Sequence, residues 1–280
     1  KRQVLDDPFV IEPGISAAWF DIDREGEGFM LEILAGDRAV MYWFTYDSEG
    51  RQDWYVAEGE IHGNRIVFPE MLNVSGGEFG PGFDPEKVVR TPVGLASFTW
   101  ISCNSAVMDW VVDGNGNARR SGRMNLTRLT DLISPVCHDE GNPPVDPGAS
   151  PLHESALLSG SWYDPAHSGE GYVLQILSSE RALVYWFSYD GDGNRRWFFG
   201  VGAISGQVIR FEEMFTTSGA LFGDDFDPDA VALSPWGSLE LELECWSGQA
   251  RFEPTEEGFP AGELDLVRLT ILDGLSCPEQ

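Results

Sequence analysis

Asp164, His167 and Glu170 fall within one short stretch, Asp164-Pro-Ala-His-Ser-Gly-Glu-Gly171. Two carboxylates flanking an imidazole are suited to general acid–base chemistry, and such carboxylates also hold sugar hydroxyls. The reaction they imply is that of a hydrolase or lyase. A second copy of the stretch weighs against it. Asp164 and Glu170 recur as Asp21 and Glu27, but Arg24 stands in the place of His167 and Glu25 in that of Ser168. An Asp164–His167–Glu170 enzyme would therefore work in the second half of the chain only. A structural account competes and is the stronger. The glycines beside Glu170 permit a bulge whose backbone N–H groups the carboxylate accepts, and Asp164 before Pro165 is a turn starter.

Aromatic residues offer binding rather than catalysis. Trp43, Tyr46 and Trp54, with their counterparts Trp186, Tyr189 and Trp197, lie on neighbouring expected strands. They can line a ligand cavity or a sugar-stacking platform, or they can fill a barrel core or a domain contact. Period-two alternation puts Trp186 on the opposite face from Tyr185, Phe187 and Tyr189. A metal reading rests on Asp190, Asp192 and Asn194, which resemble half of a calcium loop. Arg195 then stands where such a loop needs Gly, and Val201 where it needs a bidentate Glu, so a hairpin turn explains the acids better;. No phosphate loop, Ser elbow or zinc-protease motif is present, and no cofactor is implied.

The elements that position these residues follow from an internal repeat. Trp19–Gly94 aligns without a gap on Trp162–Gly237 at an offset of 143, and 34 of the 76 positions are identical. The match resumes where Arg128-Leu-Thr130 pairs with Arg268-Leu-Thr270. The chain divides into an extension (1–14), a first domain (15–137), a Pro/Gly-rich linker (138–156) and a second domain (157–280). Short β-branched and aromatic runs between turn residues predict strands throughout. The fold class expected is all-β: two tandem homologous antiparallel domains, each an eight-stranded barrel or a barrel-like sandwich, with the barrel favoured because it buries its edges. Four cysteines allow three connectivities, and duplication selects Cys103–Cys137 and Cys245–Cys277;.

Two resemblances accompany these patterns. Ser159-Gly-Ser-Trp-Tyr163 resembles the first strand of avidin-like and other calycin barrels, where the Trp packs across one barrel end. Trp162-Tyr-Asp-Pro165, Ser168-Gly-Glu-Gly-Tyr172 and Tyr185-Trp-Phe-Ser-Tyr-Asp190 are similar to a repeat of secreted bacterial proteins of largely unassigned function. That resemblance implies export and modular use and carries no catalytic residue.

The composition sets outer limits. Forty-six acidic residues against 18 basic ones give a formal charge of −28. Nucleic acid is excluded as a partner, and acidic polysaccharide is repelled. No apolar run reaches the ~20 residues of a membrane helix. No initiating Met or signal peptide is visible, which reads as a mature form. Disulfides point to an extracellular, periplasmic or cell-surface setting. The expected function is a non-enzymatic binding or assembly module for carbohydrate, small ligand or protein. Val4–Ile11, within residues 1–14, can add self-assembly by pairing with a sheet edge.

Overall fold

The computed structural model describes residues 9–113, 119–138 and 154–278. Its sixteen strands form two closed antiparallel barrels of eight. Barrel one comprises β1 (Ala17–Asp21), β2 (Gly28–Leu34), β3 (Arg38–Tyr46), β4 (Gln52–His62), β5 (Arg65–Ser75), β6 (Val89–Ser102), β7 (Ser105–Val112) and β8 (Arg120–Arg128). Barrel two comprises β9 (Gly160–Tyr163), β10 (Gly171–Ile176), β11 (Arg181–Tyr189), β12 (Arg195–Ser205), β13 (Val208–Ser218), β14 (Ala232–Leu243), β15 (Ser247–Pro254) and β16 (Gly262–Arg268). Among the described residues every helix is a short 3-10 turn, and none is long and apolar enough to cross a membrane.

Closure is carried by the first strand of each copy. Trp19 faces Phe29 of β2 and Arg128 of β8, and Trp162 faces Tyr172 of β10 and Arg268 of β16. This decides between barrel and sandwich. Within each closed sheet no edge is left free for a segment such as Val4–Ile11 to extend;. Of that segment residues 4–8 lie outside the described residues, while Phe9 and Ile11 pack on the barrel-one core. Most of the expected linker, 139–153, also lies outside them.

The alternation of side chains sorts each strand into an inner and an outer set. Trp19, Phe29, Trp43, Phe68, Phe98 and Trp100 point into barrel one; Trp162, Tyr172, Trp186, Phe198, Phe211 and Trp236 fill barrel two. One end of each barrel is sealed by its first Trp. Trp19 Nε1 donates to Ile15 O and Trp162 Nε1 to Leu158 O, both at 3.1 Å. The Arg268 guanidinium lies over Trp162 at 5.3 Å and donates to backbone carbonyls of Leu157 and Ser159. The disulfides are Cys103–Cys137 and Cys245–Cys277.

The outer set forms a seam between the barrels, built twice around a pseudo-twofold axis. Trp54 of β4 packs on Phe187 and Tyr189, while Trp197 of β12 packs on Phe44 and Tyr46. Trp54 Nε1 donates to Ser188 O at 3.5 Å and Trp197 Nε1 to Thr45 O at 3.3 Å. The tails exchange as well: Ile133 N donates to Ile176 O, and Asp273 N to Ile33 O. One pair departs from the symmetry. Gln52-Asp53 of barrel one faces Arg195-Arg196 of barrel two, with Asp53 ion-paired to Arg195 and Gln52 accepting from Arg196.

Candidate functional site

The other end of each barrel is a mouth closed by its neighbour. The loop between β5 and β6 carries Phe79, which enters barrel two and stands 5.4 Å from Trp186, 5.5 Å from Phe252 and 6.0 Å from Trp236. The loop between β13 and β14 carries Phe222, which enters barrel one 5.5 Å from Trp43 and 5.2 Å from Trp110. Both plugs open a block that the repeat shares, Phe79-Gly-x-x-Phe83-Asp-Pro85 and Phe222-Gly-x-x-Phe226-Asp-Pro228, but nothing in it indicates that they cross between domains.

The Asp164–Glu170 stretch folds at the mouth of barrel two, between β9 and β10. Asp164 Oδ1 accepts the Ala166 N–H at 2.8 Å, which caps the single 3-10 turn Pro165–His167;. Gly169 then takes a positive φ of 144°, and a Cβ there would stand 2.7 Å from the Val88 side chain of barrel one. Only glycine fits so close an approach. Gly26 repeats the contact with Val231 in the other direction.

Glu170 is buried at 8% exposure and its two oxygens are engaged separately. Oε1 meets His167 Nδ1 at 2.7 Å, and Oε2 accepts the Ser188 hydroxyl. The His167 ring stacks on Phe83 from barrel one, with centroids 4.6 Å apart. The Glu170 hydrogen bond raises the His167 pKa above its ordinary value, against the opposing effect of burial. Among the described residues nothing bonds to His167 Nε2. A pocket of about 270 Å³ lies here, bordered by His167, Glu170, Trp186, Phe79, Phe252 and Pro260, among others. Trp186, 1% exposed, keeps its Nε1–H without a partner.

Barrel one shows what the same frame does without histidine. Arg24 pairs with Glu27, whose second oxygen accepts from Thr45. Burial raises the Glu27 pKa, and Arg24 opposes that shift. The guanidinium also donates to Gly223 O at 3.0 Å and lies 4.5 Å over Phe226. Arg24 is thus committed to closing its mouth, whereas His167 leaves one nitrogen open.

Of the sequence-derived candidates, the structure brings His167, Glu170 and Trp186 to one pocket. Asp164 caps its turn: its backbone carbonyl accepts the His167 N–H at 2.9 Å, while among the described residues its carboxylate bonds to neither His167 nor Glu170. Trp43 lies inside barrel one, and Tyr46, Trp54, Tyr189 and Trp197 lie in the seam. The six aromatic candidates therefore form no single platform. Asp190 Oδ1 accepts the N–H groups of Asp192 and Asn194, and Oδ2 accepts the Asn194 amide, so the metal candidates build a hairpin turn. No cluster of three metal-type ligands occurs among the described residues. A larger groove of about 600 Å³ on the flank of barrel two holds none of the candidates. Within it Glu240 meets Arg210 at 2.8 Å and Arg251 at 3.2 Å, and Glu212, Glu253 and Glu263 add further carboxylates.

No protein-family model matches this chain, and no curated protein matches it. Two solved structures are similar over most of it. Intact Ap-TbpB, with its N and C lobes, is 7% identical, with 88% of this chain and 67% of that one covered at a TM-score of 0.20. A DUF3598-family protein of unknown function from Nostoc punctiforme is 14% identical, with 91% and 93% covered at a TM-score of 0.16. Likeness this distant carries no functional argument.

Proposed function

We propose that this chain is an exported, non-enzymatic binding module that takes one unit of a neutral carbohydrate at the mouth of barrel two. The observation that carries the reading is His167, which borders a bounded pocket and leaves Nε2 without a hydrogen bond among the described residues, at a position where the other barrel closes itself with Arg24. A sugar suits that pocket. Its C–H face packs on aromatic rings, and its hydroxyls both donate and accept, which serves His167 and the unpartnered Trp186 N–H. The charge of −28 disfavours acidic sugars;. Two disulfides and the similarity to secreted bacterial repeats support export;.

Binding fits the local chemistry better than turnover. Both Glu170 oxygens are occupied, and Asp164 is committed to its turn. Two-carboxylate sugar cleavage needs an acid and a base or nucleophile that reach the substrate. The test is saturation-transfer NMR on the intact chain against a panel of neutral mono- and disaccharides. The reading expects a saccharide that saturates, stays intact and loses its signal with H167A. A panel without any binder would overturn it. Conversion of the saccharide to products would favour the hydrolase or lyase alternative.

A further inference from the structure

The seam between the barrels is symmetric in backbone but not in side chains. On one side of the pseudo-twofold lies a cleft of about 310 Å³. Its walls include Tyr42, Trp54 and Val56 of barrel one and Phe187 of barrel two, with Arg90 and Ser168 also on its border. Tyr42 and Phe187 are stacked, their centroids 5.5 Å apart and their planes at 18°. The floor is therefore flat and aromatic.

The other side shows what would close such a hollow. The counterpart of Val56 is Phe199, whose ring stacks on Tyr185 at 5.4 Å and 16° and approaches Trp197 at 5.9 Å. Phe215, the counterpart of Leu72, backs it at 6.0 Å. A protein ring thus lies over Tyr185, and Val56 is too short to supply one over Tyr42.

Polarity changes together with shape. Arg90 replaces Leu233, and Ser168 replaces Glu25, so at these two positions the open side gains a cation and loses an anion; Glu170 also lines the cleft, and Glu32 lies behind Ser161 where the counterpart side has Gln175. Arg90 forms no ion pair among the described residues and donates to Ser168 Oγ at 3.2 Å. The neighbouring Glu170 charge is met by His167.

We infer that this cleft is a second binding site, for a flat apolar molecule bearing one carboxylate. The ligand ring takes the place over Tyr42 that Phe199 takes over Tyr185, and the carboxylate meets Arg90 and Ser168. Guanidinium–carboxylate pairing with adjacent aromatic stacking is the recognition expected for an aromatic acid. The site shares the Ser168–Glu170 loop with the barrel-two mouth but does not use His167 Nε2, so it stands whether or not a sugar binds there.

The test is calorimetric titration of the full chain with naphthalene-2-carboxylate and with the neutral naphthalene-2-methanol. The native chain is expected to bind the acid at least tenfold more tightly than the alcohol. V56F, which installs the residue of the counterpart side, is expected to weaken both at least tenfold while near-UV circular dichroism stays native. R90L is expected to remove the preference for the acid, and it decides the question alone if V56F does not fold. Absence of saturable binding, equal affinity for acid and alcohol in the native chain, or a folded V56F that binds like the native chain would each overturn the inference.

Discussion

Phe79 and Phe222 occupy one another's barrels, each standing in the mouth of the domain it does not belong to. Phe79 lies 5.4 Å from Trp186, and Phe222 lies 5.5 Å from the equivalent Trp43. Each core is therefore completed by the other half of the chain. F79A removes a ring that is 5% exposed, and deleting a buried Phe costs about 3–5 kcal/mol;. Urea unfolding of F79A and of F222A is expected to show losses of that order. A loss below about 1 kcal/mol would mean that the plugs are ornamental.

The exchange of plugs, tails and seam tryptophans makes each barrel incomplete alone. A fragment of residues 154–280 is expected to lack native near-UV circular dichroism and to recover it when residues 1–138 are added. Self-pairing would not rescue it, because the seam would set Arg195-Arg196 against a second Arg195-Arg196 in place of Gln52-Asp53;. A fragment that folds with native stability by itself would refute this.

Glu32 sets a pH dependence with a definite sign. It is 2% exposed, accepts from Ser161 Oγ at 2.8 Å and from Thr270 Oγ1 at 2.7 Å across the seam, and burial raises its pKa from 4.5 to about 6. Between those values the folded chain holds the proton more often than the unfolded chain, so stability falls as pH rises from 4.5 to 6;. The loss at pH 7 amounts to about 2 kcal/mol. Barrel two has Gln175 at the equivalent position, where it accepts from Thr130. E32Q is expected to recover stability of that order at pH 7 and to flatten the window in urea titrations. An unchanged pH profile would contradict it.

His167 acts in the same sense, at higher pH;. Its raised pKa means that its contribution to stability is full below 6.5 and is lost as pH rises through the folded value;. The His167 ring proton is expected to titrate above 6.5 by NMR, and E170Q is expected to lower that midpoint. A midpoint unaffected by E170Q would show that the carboxylate does not hold the charge.

Much of the fold was readable because duplication and period-two alternation are local signals. Duplication, with each unit closing on itself, paired the cysteines correctly, and parity separated Trp186 from Tyr185, Phe187 and Tyr189. Strand ends were less readable. β14 begins at Ala232 and runs through Pro235, a residue that argues against a strand, because Pro235 falls where the β13–β14 register shifts and no regular ladder is needed;. The site was readable only in part. His167 and Glu170 are close in sequence and Trp186 follows on β11, but the pocket they border is also bounded by Phe79 arriving from the other domain. The seam cleft depends on Val56 being smaller than Phe199, a difference that matters only once the two faces are known to meet.

The most direct measurement is the His167 ring-proton shift during saccharide titration of the intact chain. The account expects the signal to move with saturation, in step with the affinity found by saturation transfer. A saccharide that binds while His167 stays unmoved, or a full panel that leaves it unmoved, would contradict a sugar site at the mouth of barrel two.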